Sequence, residues 1–261
     1  MAFVKYLLDK KQFDEAIIVM DQKLALAARK SEIDTLNFFL GKTYYHLQNL
    51  PKANEYLGRV SEANPQWFQE SVFLSSFNSA YSGNYEDAEE KVSSYTNVKS
   101  PYPFLKTFHL AGLSLLRKDL NRFDSLALGF SNASAAVRKQ QENFFLYRAD
   151  LSKLISKSPL KAGFLSAIVP GLGRIYVGKR ATGIYSMIVA ALLGLQAYEG
   201  LQKDGANSTR FIFYSSLFTA FYIANIWGST LSVKIMQNER QEAIRQQILF
   251  DLHIPLRTLF Q

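Results

Sequence analysis

The chain has 261 residues, with 30 basic side chains, 22 acidic side chains, three histidines and no cysteine. This length suffices for two modest domains, and the absence of cysteine excludes disulfides, Cys-ligated zinc, iron–sulfur clusters and a thiol nucleophile. The first 150 residues hold 18 basic and 17 acidic groups, whereas residues 151–261 hold 12 and 5. Because this positive excess flanks apolar segments, we expect a membrane-associated half and no nucleic-acid binding.

The N-terminal half carries an internal repeat. Small, aromatic and apolar residues stand at fixed spacings over residues 34–67, namely at Leu40, Gly41, Tyr44, Ala53, Leu57, Val60 and Pro65. Gly41 and Ala53 allow two antiparallel helices to approach closely, and Pro65 is expected to end the second helix. Weaker copies of the turn between the helices precede Ala16, Ala88 and Leu126. The spacing predicts about four repeats over residues 1–137.

The pattern over residues 34–67 resembles the tetratricopeptide (TPR) repeat, with Asn37 at the position of that family's early Trp. The resemblance implies a curved helical solenoid with a concave groove that holds a peptide or a partner helix. We expect groove residues at Asn37, Tyr44, Tyr45 and Asn78, although Tyr44 and Tyr45 fit core or semi-buried packing better. A linking helix is expected over residues 138–160.

Two uncharged stretches follow, at residues 181–198 and 211–233. Each is about long enough to cross a hydrocarbon core of roughly 30 Å as a helix. A shorter apolar segment at residues 162–169 stops at Pro170, so we expect it to be re-entrant or interfacial. Small residues recur in the first stretch and small or polar residues in the second, which favours a tightly packed hairpin. Residues 161–236 are therefore predicted to hold a re-entrant segment and two transmembrane helices.

Two parts of this region resemble a bacterial membrane module with a PGLGQ-Y-G motif and an NIYGA-type second helix. One is the glycine-rich run that precedes the first uncharged stretch, and the other lies within the second uncharged stretch. They are broadly similar to TM2-type hairpins. The matching positions are Pro170, Gly171, Gly173, Tyr176, Gly178, Gly183, Tyr222, Asn225 and Gly228. Arg174 stands where the motif usually has Gln. The resemblance implies membrane architecture and partner binding, and we expect Asn225 to hydrogen-bond across the hairpin or to the glycine turn.

Basic residues concentrate before and after the two stretches, whereas the loop between them carries only Lys203 and Arg210. The positive-inside rule predicts a multi-pass protein of the bacterial inner (cytoplasmic) membrane with both termini in the cytoplasm. Charges within the first 20 residues leave no apolar core for a signal peptide. An omitted signal sequence would instead place the repeats in the periplasm.

Residues 237–261 alternate charged and apolar groups, which predicts an amphipathic tail. We expect this tail to lie on the cytoplasmic membrane surface, with docking on the repeats as the alternative.

Apparent catalytic motifs are incomplete. Gly173, Gly178 and Lys179 fit the start of a phosphate-binding P-loop, but Arg180 replaces the Ser or Thr that binds magnesium. The three histidines, His46, His109 and His253, have no His or Cys partner at metal-binding spacing. We therefore expect no enzymatic activity, no cofactor and no metal.

These features favour an all-α, membrane-anchored adaptor or scaffold that binds a partner protein through the TPR-like groove. It would act in an envelope-assembly or protein-export complex, as an oligomer or within a larger membrane assembly. The alternative is an oligomeric small channel, transporter or membrane-insertion factor that uses the broken segment at Pro170.

Overall fold

The structure is a computed structural model that describes residues 1–96, 102–130 and 136–260. These residues are helical apart from short connections and contain no strand, which confirms the all-α prediction. The chain divides into two compact units: unit 1 is Met1–Arg148 together with Arg245–Gln261, and unit 2 is Ala149–Ile244.

Two connections of the expected repeat array, residues 97–101 and 131–135, lie outside the described residues, as does Gln261 of the expected tail.

Unit 1 begins with eight helices that pack in chain order, each against the next. They are α1 (Ala2–Asp9), α2 (Phe13–Leu26), α3 (Lys30–His46), α4 (Leu50–Gly58), α5 (Pro65–Tyr81), α6 (Tyr85–Ser94), α7 (Phe104–Leu116) and α8 (Leu120–Ala127). Helix α9 (Arg138–Ile155) follows and ends in unit 2. Apolar residues of neighbouring helices, including Val4, Met20, Leu36 and Ala53, form one continuous core cluster. Each helix therefore buries its apolar face mainly against its neighbours in sequence.

The helix pairs α1–α2, α3–α4, α5–α6 and α7–α8 share one turn. Its central residue has a left-handed backbone, with φ of 57° at Lys11, 59° at Gln48, 86° at Gly83 and 62° at Lys118. The next residue donates its backbone N–H at 2.9 Å to the carbonyl five residues earlier, at Gln12, Asn49, Asn84 and Asp119. In the last three of these pairs, the same residue also caps the following helix with its side chain. The repeat in the sequence is thus a repeat of backbone geometry.

Pro65 begins a helix instead of ending one. Helix α4 ends at Gly58, and Pro65 is the first residue of α5. A proline fits this position because the first N–H groups of a helix have no intrahelical partner. Gly41 provides the expected close approach, since a methyl group there would lie 2.6 Å from the side chain of Leu57.

Unit 2 contains α10 (Pro159–Ile168), α11 (Leu172–Val177), α12 (Arg180–Asp204) and the first part of α13 (Thr209–Leu259). By length and composition, α12 and α13 are able to cross a membrane. Only 22% and 6% of their most apolar stretches are buried within the chain, whereas the core helix of a soluble protein is mostly buried. Most of their apolar surface therefore has no protein partner among the described residues.

Helix α13 is longer than the predicted second span. It continues without interruption through the expected boundary at residue 237 and past Pro255. The boundary between the compact units instead falls between Ile244 and Arg245. Residues 245–259, called the tail segment below, are the end of this helix and not a separate one.

Candidate functional site

The break after α10 is a turn in which backbone packs on backbone. Gly171 has a φ of 93°, and a side chain there would collide with the carbonyl of Gly183. A Cβ atom at Gly173 would likewise collide with the carbonyl oxygen of Ala162. Glycine at these two positions lets α10, α11 and α12 approach to backbone contact.

Buried polar side chains hold this glycine turn. The N–H of Gly171 donates to Oδ1 of Asn225 at 3.0 Å, which is one of the two hydrogen bonds expected of Asn225. The N–H of Gly173 donates to Oγ of Ser166 at 3.0 Å, and that hydroxyl donates to Oγ of Ser229 at 2.7 Å. All three side chains are buried. Asn225 of α13 and Ser166 of α10 thereby each satisfy one backbone N–H of the turn that follows Pro170.

Two other residues of the membrane motif, Tyr176 and Gly178, lie at the C-terminal end of α11. The Oη of Tyr176 accepts from the N–H of Ser158 at 3.2 Å, and Nζ of Lys157 lies 4.5 Å from the centre of its ring. Gly178, with a φ of 100°, ends α11 and is exposed. These contacts tie the end of α11 to the start of α10.

Tyr222 and Gly228 place α13 against the same turn. The hydroxyl of Tyr222 donates to the carbonyl of Ala167 at 2.6 Å. A methyl group at Gly228 would lie 3.1 Å from Nη2 of Arg174. The structure therefore brings five of the motif residues together around the turn that follows Pro170. They are Gly171, Gly173, Gly183, Asn225 and Gly228.

The role of Arg174 in this cluster was not predicted from the sequence. Its Nη1 donates to Oγ of Ser186 at 3.1 Å, and that hydroxyl donates to the carbonyl of Thr182 at 2.9 Å. Its Nε is buried and has no hydrogen-bond partner among the described residues, and the same is true of Nδ2 of Asn225. The sequence did carry a relevant signal, because Arg174 is one of six basic residues between Leu151 and Tyr198, a stretch without acidic residues.

In unit 1, the tail segment lies against α3, α5, α7 and α9. Nε2 of His253 lies 2.6 Å from Oη of Tyr45, and its imidazole stacks on Phe77 with 4.7 Å between ring centres. Leu252 packs against Gly112, where a methyl group would lie 2.5 Å from its side chain. The structure therefore favours the alternative expectation, a tail docked on the helix pairs, over the expected position on the membrane surface.

Asp251 anchors the tail segment to α9. This buried carboxylate accepts from Nδ2 of Asn143 at 3.0 Å and from the hydroxyl of Tyr147 at 2.7 Å. Burial together with the hydrogen bond to Asp251 raises the pKa of Tyr147, so the phenol keeps the proton that it donates. At the other end of the segment, Arg245 donates to Oη of Tyr85 and to the carbonyl of Tyr81.

Three of the four predicted groove residues do not line an open groove. Asn37 and Asn78 are buried between helices, and Asn78 donates to Oδ1 of Asn54 at 3.1 Å. Tyr44 is also buried and stacks on Tyr56 with 5.4 Å between ring centres. Only Tyr45 faces the tail segment. The expectation fails for the two asparagines because the helices of this region pack through polar as well as apolar side chains.

A cavity of about 510 Å³ remains between the tail segment and α3 and α5. Its lining is Lys42, Tyr45, His46, Glu70, Leu74, His253, Leu256, Arg257 and Phe260. Lys42 and Glu70 form an ion pair at 2.8 Å, and burial raises the pKa of Glu70 against the opposing effect of Lys42. Burial and the nearby Arg257 lower the pKa of His253, while burial raises that of Tyr45. The lowered pKa of His253 favours its neutral imidazole, and the ring tautomer decides which of Nε2 and the Tyr45 hydroxyl donates in their hydrogen bond.

The P-loop-like run has the wrong local geometry for a phosphate loop, because residues 173–177 within it belong to helix α11. Across residues 1–96, 102–130 and 136–260, no group of three or more His, Cys, Asp or Glu side chains is placed to hold a metal ion.

No known protein family, curated protein or solved structure matches the chain. The resemblances to TPR repeats and to the PGLGQ-Y-G membrane module thus stay predictions that rest on the residues named for them.

Proposed function

We propose that the chain is a membrane-anchored adaptor, in which unit 2 holds the protein in a bilayer and unit 1 binds a partner protein. The membrane placement is supported by the apolar, exposed surfaces of α12 and α13. Close contacts between these helices support a hairpin: a methyl group at Gly194 would lie 3.5 Å from Phe218, and one at Gly200 would lie 3.1 Å from the backbone of Phe211.

The observation that carries partner binding is the tail segment on α3, α5, α7 and α9. Of these helices, α3, α5 and α7 are the first members of their pairs, and such helices would line the concave side of a TPR-like solenoid. They hold an amphipathic helix through a buried leucine at Leu252 and polar contacts at Asp251 and His253. A partner helix with the same pattern would bind this face in place of the tail segment.

Photocrosslinking in intact membranes tests this proposal. A photoreactive residue at Tyr45 reports on the face that holds the tail segment, and one at exposed Ser125 on α8 is the control. With Leu252→Asp, which weakens the tail contact, we expect a protein crosslink at position 45 to strengthen and none at position 125. Absence of any protein crosslink at position 45 in both backgrounds would remove the basis of the adaptor proposal.

The proposed topology places both ends of the α12–α13 pair on one side of the membrane. The chain up to Arg148 and from Arg245 onward belongs to unit 1, and two spans return the chain to the side from which it started. The charge distribution assigns this side to the cytoplasm. Unit 1 should then resist protease in intact spheroplasts and be cut only after lysis, and the protein should stay in the membrane pellet at alkaline pH. Cleavage in intact spheroplasts would place unit 1 in the periplasm.

The channel, transporter or insertion-factor alternative rests on the break between α10 and α11 at Pro170. The polar groups at this break form hydrogen bonds with one another through Ser166, Asn225 and Ser229. This arrangement supports a closed turn more than a hydrophilic path through it. Ion or solute flux in liposomes that is lost with Asn225→Leu would favour this alternative over the adaptor.

A further inference from the structure

The glycine turn of unit 2 has more hydrogen-bond donors than acceptors. Oδ1 of Asn225 accepts from Gly171, but its Nδ2 has no partner, although only 2% of this residue is exposed. Nε of Arg174 is likewise buried without a partner. The nearby hydroxyl of Ser186 accepts from Arg174 and already donates its own proton to Thr182. The polar atoms left without a partner at this site are therefore N–H donors, and they require an acceptor.

Arg174 also lacks a counter-charge. The chain has no acidic residue from Leu151 to Tyr198, nor from Thr209 to Asn238. The acidic groups in the last turns of α12, Glu199 and Asp204, pair with Lys203 and Arg210. Arg174 forms no ion pair among the described residues of unit 2, and a half-buried guanidinium without a carboxylate is a strong attractor for an anion.

We propose that Arg174 and Nδ2 of Asn225 bind a phosphate group. A phosphate presents several oxygen acceptors, and the guanidinium fork matches two of them at once. The inference rests on the membrane placement of unit 2 proposed above and not on partner binding by unit 1. Lys179 and Arg180, both exposed, follow α11 directly, and such flanking cations lie at the depth of lipid headgroups. A phospholipid headgroup is thus one source of the phosphate, and free inorganic phosphate is the other.

The test uses the full chain in detergent micelles and follows its thermal unfolding. The probes are a short-chain phosphatidylglycerol, a glycosyl diacylglycerol that lacks phosphate, and inorganic phosphate. We expect phosphatidylglycerol to raise the melting temperature in a saturable way and the glycolipid to do so much less. A response to inorganic phosphate equal to that to phosphatidylglycerol assigns the site to soluble phosphate and overturns the lipid source.

Two variants that each remove one cation separate this site from a general basic surface. Arg174→Gln should weaken the apparent affinity for phosphatidylglycerol by about tenfold, while Arg180→Gln at an exposed position should change it by less than about twofold. Equal effects of the two variants would overturn the proposal, as would equal stabilisation by the glycolipid.

Two further variants keep the proposal testable if Arg174→Gln fails to fold. Asn225→Asp keeps the oxygen that accepts from Gly171, removes the unpartnered donor and adds a negative charge, so it should fold and lose the response to phosphatidylglycerol. Arg174→Lys keeps the charge without the fork and should weaken binding to an intermediate degree. A wild-type response in Asn225→Asp would overturn the proposed site. Alkaline extraction of each variant checks membrane insertion independently, so a failure of membrane placement is distinguishable from a failure of phosphate binding.

Discussion

The side chain of His109 is held in one protonation state and one tautomer. It is fully buried on α7, with its Nε2 3.2 Å from Oγ of Ser76. The Ser76 hydroxyl donates its own proton to the carbonyl of Ala88 at 2.7 Å, so Nε2 must carry the proton and donate to Ser76. Nδ1 has no partner among the described residues. Burial lowers the pKa of His109 to about 3.

This low pKa makes the stability of the chain depend on pH. Between about 3 and the ordinary value of 6.5, the unfolded chain binds a proton at His109 and the folded chain does not. The His109 contribution is therefore complete above 6.5 and is lost as the pH falls, by at most about 1.4 kcal/mol per pH unit. We expect the unfolding free energy of the wild type, relative to His109→Gln, to fall by about 2 kcal/mol from pH 7 to 5.

Urea unfolding of both proteins in detergent at the two pH values measures this difference. His46 and His253, whose pKa values burial also lowers, are present in both proteins and cancel in the comparison. A difference between the two proteins that does not change with pH would contradict the assignment.

The left-handed turn residues give a second test at the residue scale. Gln48 occupies the same turn position as Gly83, and a Cβ atom at Gly83 would meet nothing within 4 Å. The cost of a side chain there is therefore conformational and not steric. We expect Gln48→Gly to raise the unfolding free energy by about 0.5 kcal/mol and Gly83→Gln to lower it by about 1 kcal/mol. Chemical denaturation checks both, and changes of the same sign would contradict the common geometry of the turns.

At the scale of elements, the tail segment contributes to the core of unit 1. Its apolar residues Ile248, Leu249, Leu252 and Leu256 are buried, whereas Phe250 between them is 67% exposed. The helical spacing of these residues was visible in the sequence. The surface that covers them was not, because a membrane and a helical array both accept an apolar stripe.

Leu252 and Phe250 form a matched pair for testing this contact. Leu252→Ala removes a side chain that fills the space beside Gly112 and should lower the unfolding free energy of unit 1 by about 3 kcal/mol. Phe250→Ala should change it by less than about 0.5 kcal/mol. The shift in urea midpoint of unit 1, followed by near-ultraviolet circular dichroism, measures both. Equal shifts would mean that the tail segment is not docked as described.

At the scale of the whole molecule, the two compact units differ in what stabilises them. Unit 1 buries apolar side chains between helices and under the tail segment. Unit 2 leaves most of the apolar surface of α12 and α13 uncovered and is held at its turn by glycine contacts and buried hydrogen bonds. The hydrophobic effect stabilises unit 1, whereas close approach of helices and buried hydrogen bonds are the interactions that suit unit 2.

Deleting the tail segment should therefore affect the units unequally. In a chain that ends at Ile244, we expect faster backbone hydrogen exchange in α3, α5 and α7, which lose the contacts of Tyr45, Phe77 and Gly112. Exchange in α12 should stay as in the full chain. Mass spectrometry of deuterium uptake in detergent measures both, and an equal increase in α12 would contradict the division into units.

Much of the organisation was predictable from local patterns. The turn residues before Ala53 and Ala88, the break at Pro170 and the apolar stretches of α12 and α13 each depend on a few neighbouring residues. The wrong prediction at Pro65 also has a local cause. Pro65 was expected to end a helix that had already ended at Gly58, because a proline marks a boundary without saying on which side the helix lies.

The sequence by itself determined the all-helical composition, the repeated turn between paired helices and the two long apolar helices, because each follows from turn residues or hydrophobic periodicity within a short window. Only the tertiary structure decided that the tail segment covers the face once expected to be open, that Asn37 and Asn78 are buried, and that Arg174 lies beside Gly228 without a counter-charge among the described residues of unit 2. These outcomes depend on which surfaces meet between residues separated in the chain, from 24 residues for Asn54 and Asn78 to 208 for Tyr45 and His253, or on the polar groups left unsatisfied after they meet. No local pattern contains that information.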